Sequence, residues 1–211
     1  MASPRRKIWQ QPAPPAPAVA TGEAEITLIR DIAHSLLRAE RGEEAFQFAL
    51  DRAAPVVGAS LASVFLLDGA SELMRLTAAY GWPERWRPWL GEMRVRIGFG
   101  PSGEAVAERR AIEVPDVFAD RTLEDWQEVA GELGFRALIS LPLITNTRVE
   151  GAATFYFVEA GIPSTKVRTL LRAVADLMAV MAEQSALRDR LRRAEAALEE
   201  LSPPPSLPEP T

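Results

Sequence analysis

The chain has 211 residues, 47% of them hydrophobic and 25% charged, with a net charge of −5. It holds no cysteine and one histidine, His34, which excludes disulfides, thiolate metal sites, cysteine nucleophiles and thioether-linked chromophores and leaves no second imidazole for a metal cluster. A chain of this length buries enough surface for one core without staples, and its acidic balance argues against nucleic acid as a partner.

Of the 17 prolines, Pro4, Pro12, Pro14, Pro15 and Pro17 crowd residues 1–21, and Pro203, Pro204, Pro205, Pro208 and Pro210 crowd residues 202–211. Both ends read as disordered, proline-rich arms around a domain of residues 22–186 and a helical extension of residues 187–201. Arg5, Arg6 and Lys7 resemble the start of an export signal, but prolines stand where its apolar stretch belongs. The longest good apolar run, 137–144, is strand-sized, so no membrane span and a cytoplasmic location are expected.

A helical period begins at Ile26, with Ile29, Ala33, Leu36 and Leu37 on one stripe, and Gly42 breaks it. A second helix from about Glu43 turns Phe46, Ala49, Leu50, Ala53 and Val57 inward and ends at Gly58. The period then becomes two. Strands are expected over 61–67 and 73–80, joined by the Asp68-Gly69 turn, and over 93–97 after a tryptophan-rich loop. A glycine-rich turn at 98–103 opens a short helix to about Arg109, and a brief strand covers 111–114. Thr122, with Asp125 three residues on, predicts a capped helix to Leu133. Strands over 137–144 and 148–158 follow, then one helix from Ser164 to about Leu201. Hairpins outnumber crossovers, so the class is α+β with a mainly antiparallel sheet.

Gly98-Phe99-Gly100-Pro101-Ser102-Gly103 fits the dinucleotide motif G-x-G-x-x-G. Its context does not, because the two-turn helix that follows is too short for a crossover unit and no ribose-binding acid stands beyond it. The glycines read as a tight turn, with helix N–H groups free to face a small anionic ligand. Trp82, Trp86 and Trp89 read either as an aromatic lid over a pocket or as rings packed on the sheet. Asp116, Asp120, Glu124 and Asp125 have oxygen ligands for a hard cation, but turn and cap chemistry explains them better. His34, at the edge of the first stripe, reads as a surface residue.

The last helix carries Leu170, Val174, Leu177, Met181 and Gln184, then Leu187, Leu191, Ala194, Leu198 and Leu201 after a one-residue slip of phase. The first set should pack on the sheet. The second is a short leucine seam among charges, read as a coiled coil that dimerises with help from the domain, the other reading being a solvated helix.

Four pieces, taken in this order and spacing, resemble a GAF domain, the small-molecule-sensing module of bacterial signalling proteins. They are Gly98-x-Gly100-x-x-Gly103-x-x-Val106, Ile112-Glu113-Val114-Pro115-Asp116, the run from Gly134 to Leu143, and the run from Glu150 to Tyr156. The resemblance implies an antiparallel sheet of five to six strands, helices including both terminal ones on one face, and a pocket on the other. It also implies dimerisation and signal output through the terminal helices. The bilin-binding and methionine sulfoxide reductase members rely on cysteine, which is absent. Cyclic-nucleotide members share an Asn-Lys-Phe-Asp-Glu set, whereas Asn146 here lies in a hairpin turn. Haem-binding members need a pocket histidine.

What this implies is a non-catalytic signalling protein with an unidentified small-molecule ligand and no particular cofactor; no nucleophile, base and orienter can be assembled for an enzyme. The expected ligand-binding residues are Phe99, Val106, Trp126, Arg136, Ser140 and Tyr156, with Trp82, Trp86 and Trp89 as the lid. A ligand-free dimerisation or partner-binding scaffold is the alternative. The C-terminal prolines follow the leucine seam so closely that output is expected through a protein partner in trans.

Overall fold

The computed structural model describes residues 22–38, 42–69, 71–146 and 148–201; both proline-rich arms, 1–21 and 202–211, lie outside them. The expected periods become real elements with few changes of boundary. Two helices, α1 (Gly22–Arg38) and α2 (Gly42–Val57), lead into the hairpin β1 (Leu61–Leu67) and β2 (Leu73–Tyr80). The tryptophan-rich segment forms a 3-10 turn and α3 (Arg87–Glu92), followed by β3 (Arg94–Arg96), α4 (Gly100–Glu108) and β4 (Ile112–Val114). Then come α5 (Glu124–Leu133), β5 (Ala137–Ile144), β6 (Val149–Phe157) and α6 (Thr165–Leu201).

The six strands form one antiparallel sheet in the order β3-β2-β1-β6-β5-β4. Its edges, β3 and β4, are only three residues long. The central strands β1, β5 and β6 are buried on both faces, because α1, α2 and α6 cover one side and α4 and α5 the other. Side-chain parity divides each strand between these two cores. On the helical side Ala62 and Val64, Ile139, Leu141 and Leu143, and Ala153 and Phe155 meet Phe46, Leu50, Leu171, Val174 and Met178. Leu61, Leu138 and Tyr156 face the other way, against Ala105, Val117, Leu123 and Phe135.

The first helix is rotated from the stripe expected for it. Leu28 and Ile32 are its buried residues, Ile29 and Leu36 are half-buried, and Ile26 and Leu37 are 72% and 78% exposed. Packing of Leu28 and Ile32 into the core accounts for this rotation, and it brings Glu25 to Lys166 of α6 at 2.8 Å and Asp31 to Arg52 of α2 at 2.5 Å. The two flanking guanidiniums, Arg52 and Arg30, hold the Asp31 carboxyl below the usual carboxylate range.

The cap before α5 is Asp120 rather than Thr122. Its carboxylate accepts from the Thr122 N–H at 2.9 Å and from the Thr122 hydroxyl at 2.6 Å, which serves the exposed start of a 3-10 turn (Arg121–Leu123) leading into the helix.

The last helix is continuous for 37 residues, about 55 Å at the α-helical rise. Its first half buries Leu170, Leu171, Val174, Ala175, Met178, Ala179, Met181 and Ala182. Beyond the sheet, Leu187, Leu191 and Leu198 are exposed, as the change of phase in the sequence requires. No helix among the described residues is long and apolar enough to cross a membrane.

Candidate ligand pocket

The pocket-side face of the sheet is a small lattice set by strand register. Ser63, Thr154 and Ser140 lie side by side on β1, β6 and β5, and Leu61, Tyr156 and Leu138 form the next row. All three hydroxyl residues of the first row are buried. A buried hydroxyl must find a partner, and here the hydroxyls find one another: Ser140 Oγ and Thr154 Oγ1 are 2.8 Å apart, and Thr154 Oγ1 is 2.8 Å from Ser102 Oγ in the first turn of α4. The chain of hydroxyls thus ties α4 to the centre of the sheet.

The glycine motif places that turn. Gly98 and Gly100 take positive φ angles of 82° and 62°, which glycine adopts without a Cβ clash. A Cβ on Gly103 would lie 2.2 Å from the Arg96 carbonyl oxygen, so only glycine lets α4 sit this close to the end of β3. The Gly98 N–H closes the turn onto the Gly103 carbonyl at 2.8 Å. Tight-turn geometry therefore accounts for the motif without a dinucleotide.

Between this turn, α5 and the sheet lies a narrow cavity. Trp82, Phe135 and Tyr156 form one wall: both other rings meet Tyr156 edge-on, with centroids at 5.8 Å for Trp82 and 4.8 Å for Phe135. Phe65, Met93 and Val95 form another, and Phe99, Pro101 and Trp126 close the mouth against Val117, Leu123 and Leu138. The gap between these groups encloses about 520 Å³ if its open mouth is included, but only about 30 Å³ is free for the centres of water molecules. The smaller figure describes the state of the site, since it leaves out open solvent; it is room for a water or two.

Polar atoms here are few and mostly committed. The Trp82 indole N–H donates to the Ala62 carbonyl at 3.2 Å, and the Tyr156 hydroxyl is 3.3 Å from Ser63 Oγ. Burial pushes the Tyr156 phenol up to about 12, opposed by its hydrogen bond to Ser63, so it remains neutral at physiological pH. A wider polar cleft, with about 240 Å³ of comparable free space, opens on the helical side beside Gly42 and Ser185. Charges of both signs edge it, including the Arg75–Glu43 pair at 3.2 Å.

Of the residues expected at the site, the structure gathers Phe99, Trp126, Tyr156 and Trp82 around the cavity and puts the others elsewhere. Val106, one helical turn beyond Ser102, packs under α4 against Phe65, Met74 and Ala152. Arg136 is exposed; it pairs with Asp116 and stacks over Phe118 at 5.8 Å. Ser140 lies beneath the cavity and reaches it only through Thr154. Trp86 turns away and meets Trp89 edge-on at 5.2 Å, its buried indole N–H having no hydrogen-bond partner among the described residues. Hence Trp82 alone of the three expected lid rings lines the cavity; the others form a separate pair.

Thr154, Ser102, Phe135 and Phe65 went unnoticed as wall residues. A threonine inside the apolar run 152–158 was the available signal, but its partners are 14 and 52 residues away in the chain. Asp116 and Asp120 serve the turn before α5, where each carboxylate accepts a backbone N–H; no group of three or more metal-ligating side chains occurs among the described residues. His34 is exposed on α1.

The sheet is antiparallel, with the terminal helices on one face and a small cavity under a short helix on the other. The family model for the GAF domain matches residues 41–183, well over half of the chain, and the protein belongs to that family. The fold is also that of the GAF domain from a phosphoenolpyruvate-protein phosphotransferase of Coxiella burnetii, with a TM-score of 0.70 at 17% identity over 80% of this chain and 98% of that one. Free methionine-R-sulfoxide reductase from Neisseria meningitidis, solved with its substrate, is similar with a TM-score of 0.64 at 17% identity, over 82% and 99% of the two chains. The chromophore-binding domain of a bacteriophytochrome from R. palustris follows with a TM-score of 0.58 at 15% identity, over 81% of this chain and 64% of that one. No match is found among the curated proteins.

Proposed function

We propose that this protein is a non-catalytic, cytoplasmic signalling module of bacterial type. A small molecule occupies the cavity beneath α4, and α6, paired with the same helix of a second copy, delivers the change to a partner protein. One observation carries this reading: the cavity and α6 are joined by an unbroken set of contacts. Ser102 ties the mouth of the cavity to the sheet through Thr154, and α4 runs directly into β4. There Glu113 holds Arg168 of α6 at 3.2 Å. A ligand that displaces the first turn of α4 acts on this same set of contacts.

The absence of cysteine removes the thiol chemistry that a sulfoxide reductase activity would call on, and the cavity wall holds no acid–base pair, which supports binding rather than catalysis. The test is tryptophan fluorescence across a metabolite screen, since Trp82 and Trp126 stand in the wall. A saturating change is expected for one compound class; none for any class overturns sensing.

A ligand-free dimerisation scaffold is the second reading. The small free volume of the cavity and the exposed Leu187, Leu191 and Leu198 favour it. Light scattering tests the shared element: a full chain that is monomeric, and unchanged when residues 187–211 are removed, overturns the scaffold.

A further inference from the structure

We propose that the cavity selects an uncharged, flat, mainly hydrocarbon molecule bearing one hydrogen-bond acceptor, which meets the Ser102 hydroxyl and the Trp126 indole N–H. This rests on the sensing reading and adds the chemical class of the ligand.

Charge is the first criterion. No Lys, Arg, His, Asp or Glu side chain lines the cavity. The nearby arginines lie with surface rings or acids: Arg96 sits over the Phe99 ring at 5.4 Å, and Arg136 is engaged with Asp116 and Phe118. A carboxylate, phosphate or ammonium group drawn into this wall would lose its hydration and gain no counter-charge, which is strongly unfavourable.

Shape is the second. The wall is built of aromatic rings set edge-on to one another, an arrangement that accepts a further ring by stacking or edge contact. Entry requires displacement, because the free space is so small. Phe99, 62% exposed at the mouth, is the wall residue open to solvent and the one whose displacement admits a guest. A flat guest asks the least of that movement.

The polarity of the bound group follows from counting protons. Ser140, Thr154 and Ser102 bring three hydroxyl hydrogens to two mutual hydrogen bonds. Ser140 and Thr154 are 0% and 1% exposed against 8% for Ser102, and a buried donor left idle is costly, so Ser140 and Thr154 are the two that must donate. The arrangement that avoids this has Ser140 donate to Thr154 and Thr154 donate to Ser102, which leaves the Ser102 O–H to point outward at the cavity. On the same cavity wall, Trp126 Nε1 stands 3.7 Å from the Cβ position of Gly100 and makes no hydrogen bond among the described residues. Both free groups are donors, so the guest supplies an acceptor.

The test uses the full chain labelled with 5-fluorotryptophan and four probes of similar size: acetophenone, benzoate, benzylammonium and ethylbenzene. The fluorine resonances of Trp82 and Trp126 report the cavity, and those of Trp86 and Trp89 serve as controls. Acetophenone is expected to shift the first pair saturably and to bind at least about tenfold more tightly than either charged probe. It should also bind several-fold more tightly than ethylbenzene. Ser102→Ala, which leaves the Thr154–Ser140 bond and the Trp126 indole N–H in place, should reduce the acetophenone preference over ethylbenzene and leave ethylbenzene unchanged. Equal or tighter binding of benzoate or benzylammonium overturns the ligand class while keeping a small-molecule site. An acetophenone preference undiminished by Ser102→Ala overturns the assigned acceptor contact. No shift of Trp82 or Trp126 with any of the four probes overturns the ligand class, whereas the sensing reading falls only if the metabolite screen also gives no change.

Discussion

At the scale of single residues, the pocket face is governed by hydroxyl groups that have no water to turn to. Thr154 is the middle of its chain, so Thr154→Val strands both Ser102 and Ser140, and a loss of about 2 kcal/mol is expected in chemical denaturation. Thr154→Ser should recover most of it. Tyr156 adds a dependence on pH whose sign follows from burial. Its proton is held up to about 12 in the folded chain against 10.0 for the free phenol. Below the lower value both states carry the proton and stability is unaffected; as pH rises from there towards the higher value only the unfolded state loses it, so stability falls. Tyr156→Phe should flatten that part of the profile in alkaline denaturation while costing about 1 kcal/mol at neutral pH through loss of the Ser63 bond.

At the scale of elements, local pattern was a good guide to where most elements begin and end. The strands of the first hairpin, the α4 turn and the start of α6 all lie within a residue or two of where their periods put them. It failed where tertiary packing decides rotation, as in α1, where Ile26 and Leu37 were expected on the buried stripe and Leu28 and Ile32, left off it, are the residues that α2 and α6 bury. The site was half legible for a related reason. Alanine, phenylalanine and tyrosine fill both faces of β6, so parity could not be read from hydropathy, and Arg136 drew attention by its charge although it stands beyond the end of the pocket face. Gly103 shows the opposite case, a residue whose role is fixed by one close approach. Gly103→Ala forces a Cβ to within 2.2 Å of a backbone oxygen; a loss of about 1–3 kcal/mol is expected, and the Trp126 environment should change in near-ultraviolet circular dichroism as α4 is pushed outward. If the near-ultraviolet signal is unaltered, the turn is more tolerant than its geometry implies.

At the scale of the whole molecule, the two halves of α6 face different tasks. The packed half is anchored by Leu171, Val174 and Met178, and the outer half offers Leu187, Leu191 and Leu198 to solvent. If α6 pairs two copies as proposed, replacing these three leucines by serine should give a monomer in light scattering without lowering the midpoint of thermal unfolding of the domain; a parallel loss of both would place the seam in the fold itself rather than in assembly. The sheet offers no competing route. Its margins are the two three-residue strands, one of them bearing Arg94 and Arg96, and so short and charged a margin gives an incoming strand too few unpaired backbone groups to continue the ladder. Growth by strand addition is thereby closed at both ends, which protects a highly apolar sheet from cross-β aggregation and confines any recruitment of an extended peptide to surfaces other than the sheet.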